Sequence, residues 1–529
     1  MRLTELPARL SRDPSGTIVA FERGKTVRRP YAELAQDVHA AADALRRWGV
    51  VAGMRVGVRA PNSYRWLVFD LALIELRAVS VAFTDDFSDW SPEALAERYG
   101  LGLLLVSRRG APQDGTQQPF VADVDGTDAD NDGVTAIDAD GEADPRFDTP
   151  GLIFSTGSSG GVKGMVLNRR GVEANVDAFS DVVAPTPADS VLLFLPISNF
   201  QQRLIYYTAL WHGTDLIVAD PTRLFRALKE LQPTILVAPP MLYEGIAARL
   251  ESLPGWKRAA ARAGAAILQA VPSRDLRERG ARLLFGEVYA TLGGRMRFMV
   301  TGMAPTRRST LALFAHMQLP LYETYGLIEC GSVAFNRPGR QRLGSVGRPL
   351  AGVEVEIGEG SEIIVRKEHP VTRGYFQCAE GEAERTFLPD GRIATGDCGR
   401  IDGDGFLHIV GRRREMIVTP GGVKAHPEVL EAELDRSIDV EKSVVFGGRR
   451  GLVAVIVPRN PQDAGARGRI EQHVERMNAR KPAMSIERLI FGETPFSREN
   501  GQLRPNLKLD RRGIARAYEI EPEAVARAG

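Results

Sequence analysis

The sequence predicts an α/β protein of layered, mostly parallel sheets and helices, with a strand-rich subdomain and a small α+β unit at its end. Three patterns predict this class. Short apolar runs alternate with amphipathic segments through the first half, strand patterns dominate from Val353, and a compact mixture of both follows Gly411. Alternation of strands and helices favours parallel pairing, because each helix carries the chain back across the sheet.

The predicted strands of the first half are short apolar runs bounded by polar or turn-forming residues. They are Arg55–Arg59, Gly151–Phe154, Val191–Leu195, Asp215–Val218, Thr234–Val237 and Arg297–Val300. Between them, Tyr31–Trp48 and Leu224–Leu231 place apolar side chains at helical spacing. Further along the chain, Val353–Ile357 and Glu362–Arg366 have the pattern of strands.

The C-terminal part has its own set of predicted elements. They are a helix over Pro427–Asp435, a hairpin around Val444–Pro458 and a helix near Arg469–Met477. We therefore predict two domains, an N-terminal one over residues 1–411 and a mobile C-terminal one over residues 412–529. The charged run Arg412–Glu415 offers no apparent core residue, as expected of a hinge.

Composition excludes several classes of function. The chain has 529 residues, 26% charged and 43% hydrophobic, as in ordinary globular proteins, and its formal net charge is +1. A balanced charge provides no global field for nucleic acid or an anionic membrane. The N-terminus lacks a signal-peptide core, no apolar stretch is long enough to span a bilayer, and three scattered cysteines lack metal-binding spacing. We expect a cytoplasmic protein without an integral membrane segment.

The most informative motif follows the strand predicted at Gly151. It places hydroxyl side chains and glycines before one lysine: Ser155, Thr156, Gly157, Ser158, Ser159, Gly160 and Lys163. Glycines let backbone N–H groups approach a polyanion, so the segment indicates a nucleotide-phosphate loop. It is not a Walker A motif, because Val162 and Gly164 flank the lysine. Taken alone, a structural turn is the alternative interpretation.

Further motifs occur downstream in a fixed order. They are Tyr322–Glu329, Thr395–Asp402, Gly411–Gly422 and Leu503–Arg512. Together with the phosphate loop, they resemble the adenylate-forming superfamily over nearly the whole chain, and the last two are most similar to its long-chain acyl-CoA synthetase branch. The resemblance implies an AMP-forming acid–thiol ligase that uses ATP, Mg²⁺ and coenzyme A. Such an enzyme activates a carboxylic acid as acyl-AMP and then transfers the acyl group to the thiol.

The resemblance also implies roles for individual residues. Lys508 matches the family's catalytic lysine, which bridges the attacking carboxylate and the α-phosphate, and a lysine suits this role as a point charge on a long stem. Glu329 matches the Mg²⁺ ligand, a hard-ion role for carboxylate oxygen. The residues matched to adenine and ribose contacts are Gly302, Ala304, Pro305, Tyr325, Gly326, Asp397 and Arg412.

The same resemblance assigns the remaining candidates. By the resemblance, the residues that line the acyl and carboxylate pocket are Asn199, Tyr206, Tyr207 and Met241. For each wall residue, ordinary core packing is the alternative interpretation. Arg414 matches the pivot of the mobile domain. Gly421 and Gly422 match the lining of the coenzyme A tunnel.

Three departures from the family pattern leave alternatives open. Val162 replaces a common proline, Ile328 replaces a threonine and Asn199 replaces a common histidine. One half-reaction could therefore dominate, with transfer to an acyl carrier protein or partner enzyme, or with thioester formation alone; a silent nucleotide-binding protein is the alternative of another class. No aspartate stands out to anchor an ammonium group, so we expect an apolar or bulky acid. Its identity and the oligomeric state are not readable from the sequence.

Overall fold

The computed structural model describes residues 1–13, 15–22, 24–107, 120–126, 131–137, 149–156, 162–251, 254–419, 422–448, 451–503 and 509–520. The chain divides into two compact units. The first comprises Met1–Thr306, Thr310–Glu354 and Val365–Ile393, and the second Arg307–Ser309, Val355–Ile364 and Ala394–Gly529. The domain boundary predicted between residues 411 and 412 stays a prediction.

The helices, in chain order, have the following bounds: α1 (Leu6–Arg12), α2 (Tyr31–Arg47), α3 (Tyr64–Leu76), α4 (Pro92–Tyr99), α5 (Arg169–Val183), α6 (Phe200–His212), α7 (Leu224–Leu231), α8 (Pro240–Glu251), α9 (Gly255–Ala270), α10 (Arg274–Leu284), α11 (Gly286–Thr291), α12 (Arg308–His316), α13 (Glu382–Thr386), α14 (Pro427–Leu434), α15 (Ala466–Arg480) and α16 (Arg511–Ala517). Within the described residues, no helix is long and apolar enough to cross a membrane.

The strands have the following bounds: β1 (Thr17–Glu22), β2 (Lys25–Pro30), β3 (Arg55–Arg59), β4 (Val79–Ala82), β5 (Leu103–Val106), β6 (Val121–Asp123), β7 (Gly151–Thr156), β8 (Val162–Leu167), β9 (Ser190–Leu193), β10 (Asp215–Val218), β11 (Ile235–Ala238), β12 (Phe298–Thr301), β13 (Leu321–Leu327), β14 (Gly331–Phe335), β15 (Arg348–Pro349), β16 (Val353–Ile357), β17 (Glu362–Lys367), β18 (Thr372–Gln377), β19 (Ile393–Ile401), β20 (Leu407–Arg412), β21 (Ile417–Val418), β22 (Lys424–Ala425), β23 (Val440–Gly447), β24 (Leu452–Pro458) and β25 (Ile486–Phe491).

Two large sheets form the first unit. One has the order β15-β14-β13-β12-β11-β9-β10-β1-β2, and the other has the order β18-β8-β7-β4-β3-β5-β6. The central pairs of both sheets are parallel, whereas β1–β2, β13–β14 and β7–β8 are antiparallel. The predicted α/β class with mostly parallel pairing is therefore confirmed.

A buried ionic network joins α3, α6 and β4 in this unit. The Asp70 carboxylate, on α3, accepts hydrogen bonds from Arg203, Tyr206 and Tyr207 of α6 and from Ser80 of β4. All five side chains are buried. Burial lowers the pKa of Arg203, but Asp70 and the tyrosines more than offset this and raise it above its usual value. The network fixes α6 against the sheet that carries β7.

The second unit is richer in antiparallel strands. One sheet has the order β16-β17-β19-β20, and another has the order β23-β24-β25. The core beside the latter contains α14 and α15 side chains, including Leu430, Leu434, Ile470 and Val474. The strand-rich segment from Val353 and the helices predicted near residues 427 and 469 are therefore confirmed.

Candidate active site

The predicted phosphate loop connects two antiparallel strands. Ser155 of β7 lies opposite Lys163 of β8, and Thr156 lies opposite Val162. The two strands form an antiparallel pair at the edge of the parallel part of the sheet, where β7 also pairs with β4. Of the predicted loop residues, Gly157, Ser158, Ser159 and Gly160 lie outside the described residues.

Lys163 is held by two groups that come from later in the chain. Its ammonium forms an ion pair with Glu382 of α13 and lies 5.0 Å from the ring centroid of Tyr375 on β18. Strand β18 pairs with β8, which brings these side chains to Lys163. The lysine side chain is only 14% exposed. The Glu382 carboxylate and the Tyr375 ring therefore hold the Lys163 ammonium beside the paired strands β7 and β8.

Tyr375 also contacts the predicted Mg²⁺ ligand. Its hydroxyl donates a hydrogen bond to Glu329 Oε1 at 2.9 Å and lies 3.3 Å from Thr386 Oγ1. Burial, reinforced by the Glu329 charge, raises the pKa of Tyr375 above its usual value, so the hydroxyl stays a donor. Tyr375 thus bridges two sequence-predicted candidates, and we call the three side chains the Lys163–Tyr375–Glu329 cluster.

Glu329 has the chemistry that a Mg²⁺ site needs. It is half-buried, offers carboxylate oxygens and uses Oε1 for Tyr375. Over the described part of the chain, no group of three or more His, Cys, Asp or Glu side chains forms a metal cluster. A single carboxylate fits an ion that takes its other oxygen ligands from water and phosphate, which is typical of Mg²⁺ in nucleotide sites.

No local signal in the sequence marks Tyr375 or Glu382 as site residues. Neither lies in a periodic pattern or beside the glycine-rich loop in the chain. Their role becomes visible only because β18 pairs with β8, and Thr372 at the start of β18 bonds to the carbonyl groups of Ile328 and Glu329. This strand joins the phosphate hairpin to the turn after β13.

The predicted adenine segments lie at adjacent strand ends. β12 and β13 are parallel, with Thr301 opposite Glu323, so the loop from Gly302 and the segment from Tyr325 leave the same sheet edge. A β-carbon at Gly302 would lie 2.9 Å from Thr324 Cγ2. Ala304 and Pro305 are exposed. Ligands of α/β sheets bind outside such carboxyl ends, so the geometry suits the predicted nucleotide site.

At this sheet edge, close packing restricts the residue type at position 326, and Met303 has an unusual backbone conformation. A β-carbon at Gly326 would lie 2.5 Å from the Gly331 carbonyl oxygen, so a larger residue would push β14 away. Met303 has φ 70°, in the left-handed region that a non-glycine residue seldom adopts. Such strain concentrates at functional sites, where the surrounding structure maintains it.

The predicted acyl-pocket residues occupy different environments. Asn199 is half-buried at the N-terminus of α6, whereas Met241 on α8 is 47% exposed. Tyr206 and Tyr207 are buried and direct their hydroxyls to Asp70. Any contact of these two tyrosines with an acyl chain would therefore have to use the rings. Their pocket role stays a prediction.

The predicted ribose pair meets in the second unit. Asp397 of β19 and Arg412 of β20 are directly opposite in the antiparallel register, and Arg412 Nε lies 3.3 Å from Asp397 Oδ1. Asp397 is buried and its backbone N–H donates to Thr395 Oγ1. The pair places a carboxylate, which can accept two hydrogen bonds from a cis-diol, beside a guanidinium donor.

The hinge and tunnel candidates are described in part. Arg414 is exposed in the short turn after β20. Gly422 has φ 77° and donates its N–H to the Thr419 carbonyl at 2.8 Å. A left-handed residue closes this turn, which favours glycine. Gly421 and Lys508 lie outside the described residues.

Glu428 connects the segment before the predicted hinge to α14. Its Oε1 accepts the backbone N–H of Arg412 at 3.2 Å, and its Oε2 is buried without a hydrogen-bond partner. Burial raises the pKa of Glu428 from 4.5 to about 7, although Arg511 opposes this. The carboxyl therefore keeps its proton to a higher pH in the folded chain than an exposed glutamate does.

This carboxyl predicts a pH dependence of stability. Between pH 4.5 and about 7 the folded state keeps a proton that the unfolded state has lost. The contribution is complete below pH 4.5 and is lost as the pH rises to about 7. Glu428→Gln should therefore raise the free energy of unfolding at pH 8 by about 1–2 kcal/mol relative to wild type, and by much less at pH 4.5. Urea titrations at both pH values measure the difference.

Glu433 on the same helix provides a matched control of opposite sign. Its hydrogen bond to Lys481 lowers its pKa, so its contribution is present above its usual pKa. Glu433→Gln should lower the stability at pH 8. If Glu428→Gln lowered the free energy of unfolding at pH 8 as much as Glu433→Gln does, the raised pKa of Glu428 would be contradicted.

Comparison with known proteins identifies the family. A family model described as AMP-binding enzyme matches residues 7–376. Long-chain-fatty-acid–CoA ligase FadD15 of Mycobacterium bovis is 26% identical over 93% of this chain and 91% of its own length.

Two solved structures share the fold. ATP-bound MatB from Rhodopseudomonas palustris has a TM-score of 0.73 at 22% identity, covering 98% of this chain and 99% of that one. The anthranilate CoA ligase AuaEII in complex with anthranoyl-AMP has a TM-score of 0.75 at 16% identity, covering 98% and 97%. Since the family model spans most of the sequence, this chain belongs to the AMP-binding enzyme family.

Proposed function

We propose that this chain is an ATP-dependent acid–CoA ligase for apolar carboxylic acids. It forms an acyl-adenylate with release of pyrophosphate and then transfers the acyl group to coenzyme A with release of AMP. The observation that carries the proposal is the similarity to a long-chain-fatty-acid–CoA ligase over nearly the full length of both chains. A long-chain acid is therefore the first substrate class to test.

Lys163 supplies positive charge for the nucleotide phosphates. In the structure Glu382 is its ion-pair partner, and Glu382 Oε2 is buried without a hydrogen-bond partner. When ATP enters, a phosphate oxygen would replace or share this carboxylate, because both are anionic acceptors for the same ammonium. The Tyr375 ring, whose centroid lies 5.0 Å from the Lys163 ammonium, would remain a contact of the lysine during this exchange.

Glu329 would hold Mg²⁺, which neutralises phosphate charge when bound. Tyr375 acts as a positioning residue, because its hydroxyl orients this carboxylate. Tyr375→Phe keeps the ring beside Lys163 but removes the donor. We expect the Mg²⁺ concentration for half-maximal adenylation to rise by about tenfold, with a smaller effect at saturating Mg²⁺. A Mg²⁺ titration of AMP formation measures this change.

Tyr243→Phe is the matched control, since the Tyr243 hydroxyl contacts backbone carbonyls of β11 and β12 in the core. It should leave the Mg²⁺ dependence unchanged. An unaltered Mg²⁺ titration in Tyr375→Phe would remove Tyr375 from this role.

The second unit contributes Asp397, Arg412 and Lys508. Asp397 would accept hydrogen bonds from the ribose hydroxyls, and Arg412 would orient Asp397 through its guanidinium. Lys508 would neutralise the charge that develops as the substrate carboxylate attacks the α-phosphate. Rotation of the second unit about Arg414 would then allow thioester formation beside Gly421 and Gly422.

The departure at Ile328 does not leave this turn without hydroxyl groups. Thr372 donates from Oγ1 to the Ile328 carbonyl at 2.9 Å, and the Tyr375 hydroxyl reaches Glu329. These groups support the same turn from β18. We infer that both half-reactions occur in this chain, with coenzyme A as acceptor in preference to an acyl carrier protein; the similarity to a CoA ligase over nearly the full length of both chains supports this.

The test is a panel of acids incubated with ATP and Mg²⁺, with and without coenzyme A. Octanoate, palmitate and benzoate span the chain-length and ring classes, and AMP, acyl-AMP and acyl-CoA are measured separately. We expect AMP release that depends on coenzyme A, with palmitate among the best acids. Acyl-AMP that accumulates regardless of coenzyme A would favour transfer to a carrier protein. No product with any acid would reject ligase activity.

A further inference from the structure

Helices α9 and α10 form a hairpin with an unusually apolar outer surface. Trp256 and Ile267 on α9 are 71% and 67% exposed, and Leu276 and Leu283 on α10 are 56% and 88% exposed. Four large apolar side chains at this exposure are uncommon on a single helical hairpin of a protein surface. They occur in a segment that no part of the proposed reaction uses.

Close packing at two glycines fixes the hairpin. A β-carbon at Gly264 would lie 2.7 Å from Leu284 Cδ2, and one at Gly280 would lie 2.3 Å from Leu268 Cδ2. Each leucine therefore covers the glycine of the opposite helix, which makes the two helices antiparallel neighbours. The exposed apolar side chains are consequently held on a defined surface.

The apolar side chains of both helices face the same way. Ala265 of α9 and Ala281 of α10 belong to one buried core cluster. Ile267 follows Ala265 by two positions, and Leu283 follows Ala281 by two positions, which is roughly half a turn of helix in each case. Since the core lies under both helices, the exposed apolar side chains of α9 and α10, such as Ile267 and Leu283, lie on the outer side of the hairpin. We call this side the outer face.

The same hairpin carries a strong local positive charge. Between residues 255 and 284 the sequence has seven basic residues and only two acidic ones, a local net charge of +5 in a chain whose total is +1. Three of the arginines donate to backbone carbonyl groups, which leaves their charge in place. The basic residues are Lys257, Arg258, Arg262, Arg274, Arg277, Arg279 and Arg282.

We propose that the outer face of α9 and α10 binds the surface of an anionic phospholipid bilayer. Exposed tryptophan, isoleucine and leucine side chains would enter the boundary between headgroups and acyl chains, while the surrounding lysine and arginine side chains contact anionic headgroups. Trp256 at the start of α9 suits this boundary, because its ring is apolar and its indole N–H is polar.

The charge distribution favours a bilayer over a second copy of the chain. An isologous dimer through the outer face would bring together two hairpins that each carry a net charge of +5, which opposes association. A bilayer with anionic lipids supplies a compensating charge of the opposite sign. The total charge of the chain conceals this surface, because acidic residues elsewhere balance it.

This proposal does not depend on the proposed ligase activity. Its readout is vesicle binding of the full chain, measured by co-sedimentation with phosphatidylcholine vesicles and with vesicles that also contain phosphatidylglycerol. We expect binding to the anionic vesicles only, weakened at high salt because screening reduces headgroup attraction. A blue shift of tryptophan emission on binding provides a second measurement.

A triple variant tests the outer face directly. Trp256→Ser, Leu276→Ser and Leu283→Ser remove exposed side chains, so the fold should be retained, as circular dichroism can verify. We expect at least a tenfold loss of affinity for anionic vesicles. The matched control is Val51→Ser with Leu343→Ser, two exposed apolar positions elsewhere in the same unit, which should bind like wild type.

Three outcomes would overturn the proposal. The first is no binding of the wild-type chain to anionic vesicles, and the second is equal binding by the triple variant. The third is a dimer in lipid-free solution that the triple variant dissociates, as sedimentation velocity would show. That result would assign the outer face to a second copy of the chain.

Discussion

Replacement of Lys508 by alanine is expected to lower acyl-adenylate formation by about 10²–10³, a loss typical of one preorganised electrostatic contact to the transition state. The physical reason is that the attack of a carboxylate on the α-phosphate brings two anions together, and the proposed role of the lysine ammonium is to offset their repulsion. The measurement is pyrophosphate exchange with a saturating acid. Turnover of supplied acyl-AMP with coenzyme A should fall much less, because that step does not need this contact.

Arg512→Ala is the control for a substitution in the same tail. Arg512 is exposed and lies in α16, where its backbone N–H is capped by Asp510. Its side-chain loss should leave both half-reactions near wild type. Unchanged pyrophosphate exchange in Lys508→Ala, or an equal loss in Arg512→Ala, would contradict the assigned role of Lys508.

Of the substitutions considered for stability, Arg203→Met in the buried network around Asp70 is expected to lower the free energy of unfolding most. In Arg203→Met the Asp70 carboxylate keeps its hydroxyl donors from Ser80, Tyr206 and Tyr207 but loses its cation. A buried charge without a partner is costly, so we expect a loss of about 3–5 kcal/mol in the free energy of unfolding. Urea denaturation followed by tryptophan fluorescence measures it.

A double replacement separates charge from packing in this network. Asp70→Leu with Arg203→Met removes both charges, and we expect it to recover at least half of the loss, since buried ion pairs often contribute little net stability. Arg297→Met is a control pair, because Arg297 and Asp189 form a partly exposed ion pair. A loss in Arg203→Met no larger than in Arg297→Met would refute the buried-charge argument.

The sequence predicts an element accurately when short-range patterns alone decide where that element begins and ends. The strand Asp215–Val218 and the helix Leu224–Leu231 were predicted with the bounds that the structure has. Each is short, has a clear period and is bounded by polar residues. By contrast, no local pattern predicts α3, because most positions from Tyr64 to Leu76 are apolar and no polar face marks the helical period.

The candidate site also contains residues that local sequence patterns can locate and residues that only strand pairing brings together. The glycine-rich segment and the motif around Asp397 could be located by residue type and order. Which strand lies beside Lys163 could not, since β8 ends at Leu167 and β18 begins only at Thr372, with β9 to β17 between them in the chain. The ion pair of Lys163 with Glu382 and the hydrogen bond of Tyr375 to Glu329 depend on that pairing.

The sequence by itself determined the α/β class, the order of the motifs and the residue types that can bind a nucleotide, because periodicity and backbone chemistry act over short distances. Only the tertiary structure decided the Lys163–Tyr375–Glu329 cluster, the burial of Tyr206 and Tyr207 against Asp70, and the outer face of α9 and α10. Strand register, desolvation and the direction in which a helix face points are set by contacts between residues far apart in the chain. No local pattern contains that information.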